Sequence, residues 1–187
     1  MMSRTRLNLA NLITLSRLFL VPVAIWLIIR GRDGFAFWVF VVAGLSDALD
    51  GFVAKRFDRR TRLGALLDPL ADKSLLVSLT ITLGLFGALP SWLVILVVFR
   101  DAMILGGFLL IQAIAAATEF SPLYISKINT LVQATLIGFV LARRGLEIDP
   151  GLLTSLLIFA AAVTTAASGL SYLVRWARIL SRSEGIL

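Results

Sequence analysis

The chain contains no cysteine and no histidine. Disulfides, thiolate metal sites, imidazole ligands and imidazole bases are excluded together. A metal held by this protein must sit on oxygen ligands, which favours Mg2+, Mn2+ or Ca2+ over zinc or iron. A general base must be Asp, Glu, Lys or Tyr. Charge is also scarce. Only 16% of the 187 residues are Asp, Glu, Lys or Arg, against 59% hydrophobic residues. That is not the composition of a soluble domain. A spanning helix needs about 20 mostly apolar residues.

Six apolar segments can be read, at about 11–29, 35–54, 63–86, 92–116, 123–141 and 152–174. They predict an all-α integral membrane fold, with six transmembrane helices in one domain over 1–187. Residues 1–10 are short and basic, as the start of a signal peptide would be. However, Asn11, Thr14 and Arg17 make the next segment polar on one face, and no small-residue cleavage site follows. A short interfacial lead-in and a retained first helix are expected. With the N-terminus in the cytoplasm, eleven Lys and Arg residues fall on that side and four on the other. The positive-inside rule therefore puts both termini in the cytoplasm. A bacterial-type inner membrane is the expected location. The net charge of +7 is spread over short loops between apolar runs. This distribution suits anionic lipid headgroups rather than nucleic acid.

Four of the eleven acidic residues stand close together: Asp47, Asp50, Asp68 and Asp72. Carboxylates at a bilayer are costly and mark function more often than carboxylates elsewhere. Asp47 and Asp50 are spaced i, i+3, and Asp68 and Asp72 are spaced i, i+4, so each pair shares a helix face. A short basic loop separates the pairs, so the two helices can lie antiparallel with the pairs facing. Four convergent carboxylates repel unless cations lie between them. One or two Mg2+ or Mn2+ ions are the natural occupants, and two such ions about 3.5–4 Å apart suit in-line displacement at phosphorus. Gly51 and Gly64 flank the acids and leave room for a bulky ligand. The alternative is that the acids pair with Lys55, Arg56, Arg62 and Lys73 and only anchor loop ends. A cation transporter or channel is a further alternative, but it would spread acids along a path across the bilayer. Here only Asp101 lies deeper. A structural membrane subunit without activity is the third.

The run Asp47-x2-Asp50-Gly51-x2-Ala54-Lys55-x8-Gly64-x3-Asp68-x3-Asp72 resembles the signature of the CDP-alcohol phosphotransferase family. All eight positions over 26 residues agree in spacing. Lys55 stands where the family has Arg, which keeps the charge but loses the bidentate fork. Asn11, Thr14 and Arg17, followed by Pro22, resemble the first helix of the lipid-synthesising branch. The resemblance implies a homodimer with a polar cavity open to the cytoplasm. It implies that Asp47, Asp50 and Asp68 hold divalent metal, with Asp72 sharing that contact and acting as base. It assigns Gly51, Ala54, Lys55 and Gly64, with Asn11 and Thr14, to the nucleotide site. The implied reaction is attack of an acceptor hydroxyl on a CDP-linked lipid such as CDP-diacylglycerol, with release of CMP.

Three further stretches tilt the choice of acceptor. Phe99-Arg100-Asp101, the run 125–133 containing Ser126, Lys127, Asn129 and Gln133, and the run 164–172 resemble the CMP-forming cardiolipin synthases. Phosphatidylglycerol is therefore the first expected acceptor, and glycerol 3-phosphate, as in phosphatidylglycerophosphate synthases, the second. Both carry a phosphate, for which Arg100, Lys127 and Arg17 are the candidate ligands. Two plainer readings stand beside these: Lys127 as a snorkelling helix start, and Arg100 as an internal partner of Asp101.

Overall fold

The computed structural model describes residues 9–57, 62–114, 123–149 and 151–184, and side chains within 19–46, 73–107, 123–149 and 151–177. The described residues form helices only: α1 (Leu9–Ile29), α2 (Asp33–Phe57), α3 (Arg62–Leu85), α4 (Ser91–Ile114), α5 (Tyr124–Gly145) and α6 (Gly151–Glu184). Among these residues, two helical stretches are long and apolar enough to cross a membrane, Tyr124–Gly145 and Gly151–Ala177. Three shorter apolar stretches lie at Phe19–Ile29, Asp33–Ser46 and Lys73–Leu85.

Two helices overrun their expected ends. Helix α2 continues to Phe57 rather than stopping at 54, so Lys55 and Arg56 belong to it. Helix α6 reaches Glu184, ten residues past the expected stop at 174. No Gly or Pro occurs between Ser171 and Glu184, so nothing in the backbone ends it earlier.

The chain divides into two compact units. The first holds α1, α2 and α3 with residues 137–149, and α1 packs on both α2 and α3. Its seam is built from Val21, Ala24, Leu27 and Ile28 on α1, Ala36 and Ala43 on α2, and Leu75, Leu79 and Leu83 on α3. Small residues on α2 let helix backbones approach closely, as is usual in membrane bundles. Thr80 and Thr82 are buried on α3 and return their hydroxyls to the carbonyls of Leu76 and Ser78. Each polar group is thereby satisfied within its own helix.

The turns are closed by backbone geometry. Gly31 takes φ 69°, its N–H donates to Ile28 O, and Arg32 N–H donates to Leu27 O. This is a Schellman end, and it needs a left-handed residue that glycine supplies without penalty. The end of α5 closes in the same way on Glu147, which takes φ 54° despite its side chain. At that end Gly145 lies against the backbone of Gly34 at the start of α2; a Cβ on Gly145 would fall 2.5 Å from Gly34 Cα. An ion pair accompanies the contact, with Arg144 Nε 3.0 Å from Asp33 Oδ2.

In the second unit α4 packs on α6. Leu93, Val97, Arg100 and Ile104 form the inner face of α4, and Ala161, Thr165, Ser168 and Tyr172 that of α6. Both run i, i+4, i+7, i+11, one stripe of a helix. The α6 stripe passes from apolar to polar along its length, and Arg100 is the one polar member of the α4 stripe. The Trp176 ring lies over Gly107, where a Cβ would overlap it.

Candidate functional site

Two groups of residues singled out by the sequence are placed by these helices. Asp47 and Asp50 belong to α2, and Asp68 and Asp72 to α3. Their backbones are helical, so the i, i+3 and i, i+4 spacings do put each pair on one helix face. Arg17, Asn11 and Thr14 are in α1, the helix that packs on both α2 and α3. The side chains of these seven residues, and those of Ala54 and Lys55, lie outside the described residues, as do the surroundings of Gly51 and Gly64. Four carboxylates on two helices, in a chain without cysteine or histidine, have the chemistry to suit a hard divalent cation.

The second group is fully described. Arg100 is 2% exposed, and its guanidinium is enclosed by protein acceptors. Nη1 donates to Asp101 Oδ1 at 2.5 Å, Nη2 to Ser126 Oγ at 2.6 Å, and Nε to Ser168 Oγ at 3.2 Å. Nη2 also donates to Ser168 Oγ. Four of the five N–H donors that an arginine carries are thus engaged. An arginine buried this far must be paired, because an unpaired charge in an apolar medium is far more costly than a paired one.

One turn further along α5 and α6 a neutral cluster continues the layer. Asn129 is fully buried, and its Oδ1 accepts from Thr164 Oγ1 and Thr165 Oγ1, each at 2.9 Å. Gln133 Nε2 donates to Thr165 Oγ1 at 3.2 Å. Asn129 Nδ2 is buried without a partner. Tyr172 is buried too, and its hydroxyl accepts from Leu123 N–H at 3.3 Å, just ahead of α5.

Arg100 and Lys127 are both in the second unit but occupy different settings. Arg100 is internal, whereas Lys127 is exposed on α5. The three stretches that resemble cardiolipin synthases supply Arg100 and Asp101, then Ser126, Asn129 and Gln133, then Thr164, Thr165, Ser168 and Tyr172. The structure joins them into one buried polar layer, which their separate reading did not anticipate. The available signal was the polar spacing 126, 129, 133 on α5 and 165, 168, 172 on α6, one helix face each. The Asp33–Arg144 pair was also missed. Its signal was an ionisable residue at each end of an apolar run.

The six-helix chain with its paired aspartates belongs to the CDP-alcohol phosphatidyltransferase family, whose profile matches residues 7–167 and so includes all eight positions of the motif. Members of this family are generally dependent on divalent metal. Among curated relatives, the human cardiolipin synthase (CMP-forming) is 33% identical over 181 residues, covering 88% of this chain and 60% of that protein. A probable phosphatidylglycerophosphate synthase of Mycobacterium tuberculosis is 34% identical over 176 residues, covering 90% of this chain and 81% of that protein. A Schizosaccharomyces pombe cardiolipin synthase (CMP-forming) / mitochondrial hydrolase fusion protein is 34% identical over 182 residues, covering 89% and 31%. The chain thus spans about a third of that fusion protein and 60% of the human enzyme.

Proposed function

We propose that this protein is a metal-dependent phosphatidyltransferase that moves the phosphatidyl group of CDP-diacylglycerol to a glycerol hydroxyl of phosphatidylglycerol, giving cardiolipin and CMP. The observation that carries the reaction class is the eight-position motif from Asp47 to Asp72 inside the region matched by the family. Asp47, Asp50, Asp68 and Asp72 would hold one or, more fully, two Mg2+ or Mn2+ ions. Such ions, when bound, polarise phosphoryl oxygens and offset developing negative charge. Asp72 takes the proton of the acceptor hydroxyl, the role the resemblance to the family gives it, and a carboxylate base suits a chain without histidine. The acceptor oxygen then bonds to the lipid-side phosphorus, the bond from that phosphorus to the CMP oxygen breaks, and CMP leaves. Gly51, Ala54, Lys55 and Gly64, with Asn11 and Thr14, bind the nucleotide. Lys127 and Arg17 bind the acceptor phosphate. Arg100 adds its remaining N–H, since further contact would require breaking its serine bonds.

The polar layer of α4, α5 and α6 supports cardiolipin synthesis, because its members come from the stretches that resemble that branch. A phosphatidylglycerophosphate synthase, with glycerol 3-phosphate as acceptor, is the second reading. The high coverage of the mycobacterial relative favours it. In either case the protein is assigned six spans, both termini and the aspartates on the cytoplasmic side of an inner membrane, and a homodimeric state.

One assay decides the acceptor. Purified protein is given CDP-diacylglycerol with Mg2+ or Mn2+, and phosphatidylglycerol and glycerol 3-phosphate are offered separately. Cardiolipin identified by mass supports the first reading; phosphatidylglycerophosphate as the sole product overturns it. Release of no CMP under any condition returns the chain to the transporter or structural readings.

A further inference from the structure

The first half of α5 is tied to its neighbours at one-turn intervals. Leu123 N–H meets Tyr172, Ser126 meets Arg100, Asn129 meets Thr164 and Thr165, and Gln133 meets Thr165. The side-chain ties, at Ser126, Asn129 and Gln133, are three and four residues apart and so lie on one face of α5, and the Leu123 tie holds the chain just ahead of it. Lys127 follows Ser126 directly, so it projects about 100° around the helix from that face. It is exposed. In lipid, apolar surface gives helices little reason to associate in one particular rotation, and interhelical hydrogen bonds and close packing set it instead. The ties therefore fix the rotation of α5, and that rotation fixes where Lys127 points.

We infer that Asn129 and Thr165 are positioning residues for acceptor binding: their buried hydrogen bonds hold α5 at the rotation that presents the Lys127 ammonium to the acceptor phosphate. The inference rests on the assignment of Lys127 to that phosphate. Neither residue touches substrate. From a fully buried place Asn129 spans two hydroxyls of α6, those of Thr164 and Thr165. Thr165 is the shared node, accepting from Gln133 and donating to Asn129.

The test is steady-state kinetics with each substrate varied in turn, using whichever of phosphatidylglycerol and glycerol 3-phosphate the enzyme turns over. Thr165→Val keeps the shape and removes the hydroxyl. It should raise the acceptor KM about tenfold, the size of one weakened contact to a charged group, with the KM for CDP-diacylglycerol within about twofold. Thr165→Ser should restore the acceptor KM. The acylation rate of Lys127, read by peptide mass, should be slowed by acceptor in the wild type and not in Thr165→Val. Gln133→Leu provides the same two readouts should Thr165→Val not fold. An unchanged acceptor KM in the folded variants, or an equal change in both KM values, overturns the positioning role. Lys127→Ala separates the two claims. If it leaves the acceptor KM unchanged, the phosphate assignment fails and this inference fails with it. If it raises that KM while Thr165→Val does not, only the positioning role fails.

Discussion

Two aspartates are assigned opposite kinds of role. Asp72 is the proposed base, in a chain where no histidine stands in reserve. Asp72→Asn keeps size and some coordinating ability but loses the basic oxygen. CMP release from CDP-diacylglycerol should fall about 10²–10⁴-fold, the usual worth of a general base. The melting temperature in detergent should stay near that of the wild type. Asp33 is a structural counterpart. It is buried, one oxygen accepts from Arg144, and the other has no partner. Arg144→Gln would leave its carboxylate short of a charged donor. A loss of about 1.5–3 kcal/mol in stability is expected, seen as a lower melting temperature without a change in substrate KM. The two aspartates thus separate cleanly: one should alter turnover without stability, the other stability without turnover.

At the scale of elements, the informative contacts are those where two helices meet with nothing between them. A Cβ added at Gly145 would strike the backbone of Gly34 at 2.5 Å, and backbone cannot step aside as a side chain can. A Cβ added at Gly34 would meet only ordinary contacts at 3.7 and 3.8 Å. Gly145→Ala should therefore cost about 1–3 kcal/mol by overpacking. Gly34→Ala should be neutral or slightly stabilising, since alanine favours helix over glycine by about 1 kcal/mol. Thermal melts of the two variants side by side check the asymmetry. Helix limits were legible to within a few residues wherever glycine or proline ended an apolar run, as at Gly31 and Gly87. They were less legible at Phe57 and Glu184. There the apolar period stops but the backbone has no cause to, and charged residues extend the helix.

For the whole molecule, the absence of cysteine makes topology directly measurable. Single cysteines at Ser183 and Leu146 should react with a membrane-impermeant thiol reagent from opposite sides, Ser183→Cys from the cytoplasm and Leu146→Cys from outside. Reaction of both from one side would refute the assigned arrangement of α6. Chelation should abolish CMP release, and Mg2+ or Mn2+ should restore it, because the candidate donors are all carboxylate oxygens. A transferase active without divalent metal would contradict the role given to Asp47, Asp50 and Asp68.

The sequence by itself determined the class of chemistry. A chain without cysteine or histidine, with paired aspartates at helical spacing, leaves oxygen-bound cations as the metals it can hold, and the spacing of eight residues names the family. Local periodicity suffices there, because the residues of each pair are neighbours on one helix. The placement of the second polar group was decided only by tertiary structure. Arg100 reads equally well from sequence as a phosphate ligand or as an internal ion-pair partner. Its hydrogen bonds to Ser126 and Ser168, 26 and 68 residues away, place it inside a layer shared by three helices. Contacts between residues so distant in the chain leave no period to read. They arise where packing brings separate polar stripes to one level, and in lipid those stripes must satisfy one another.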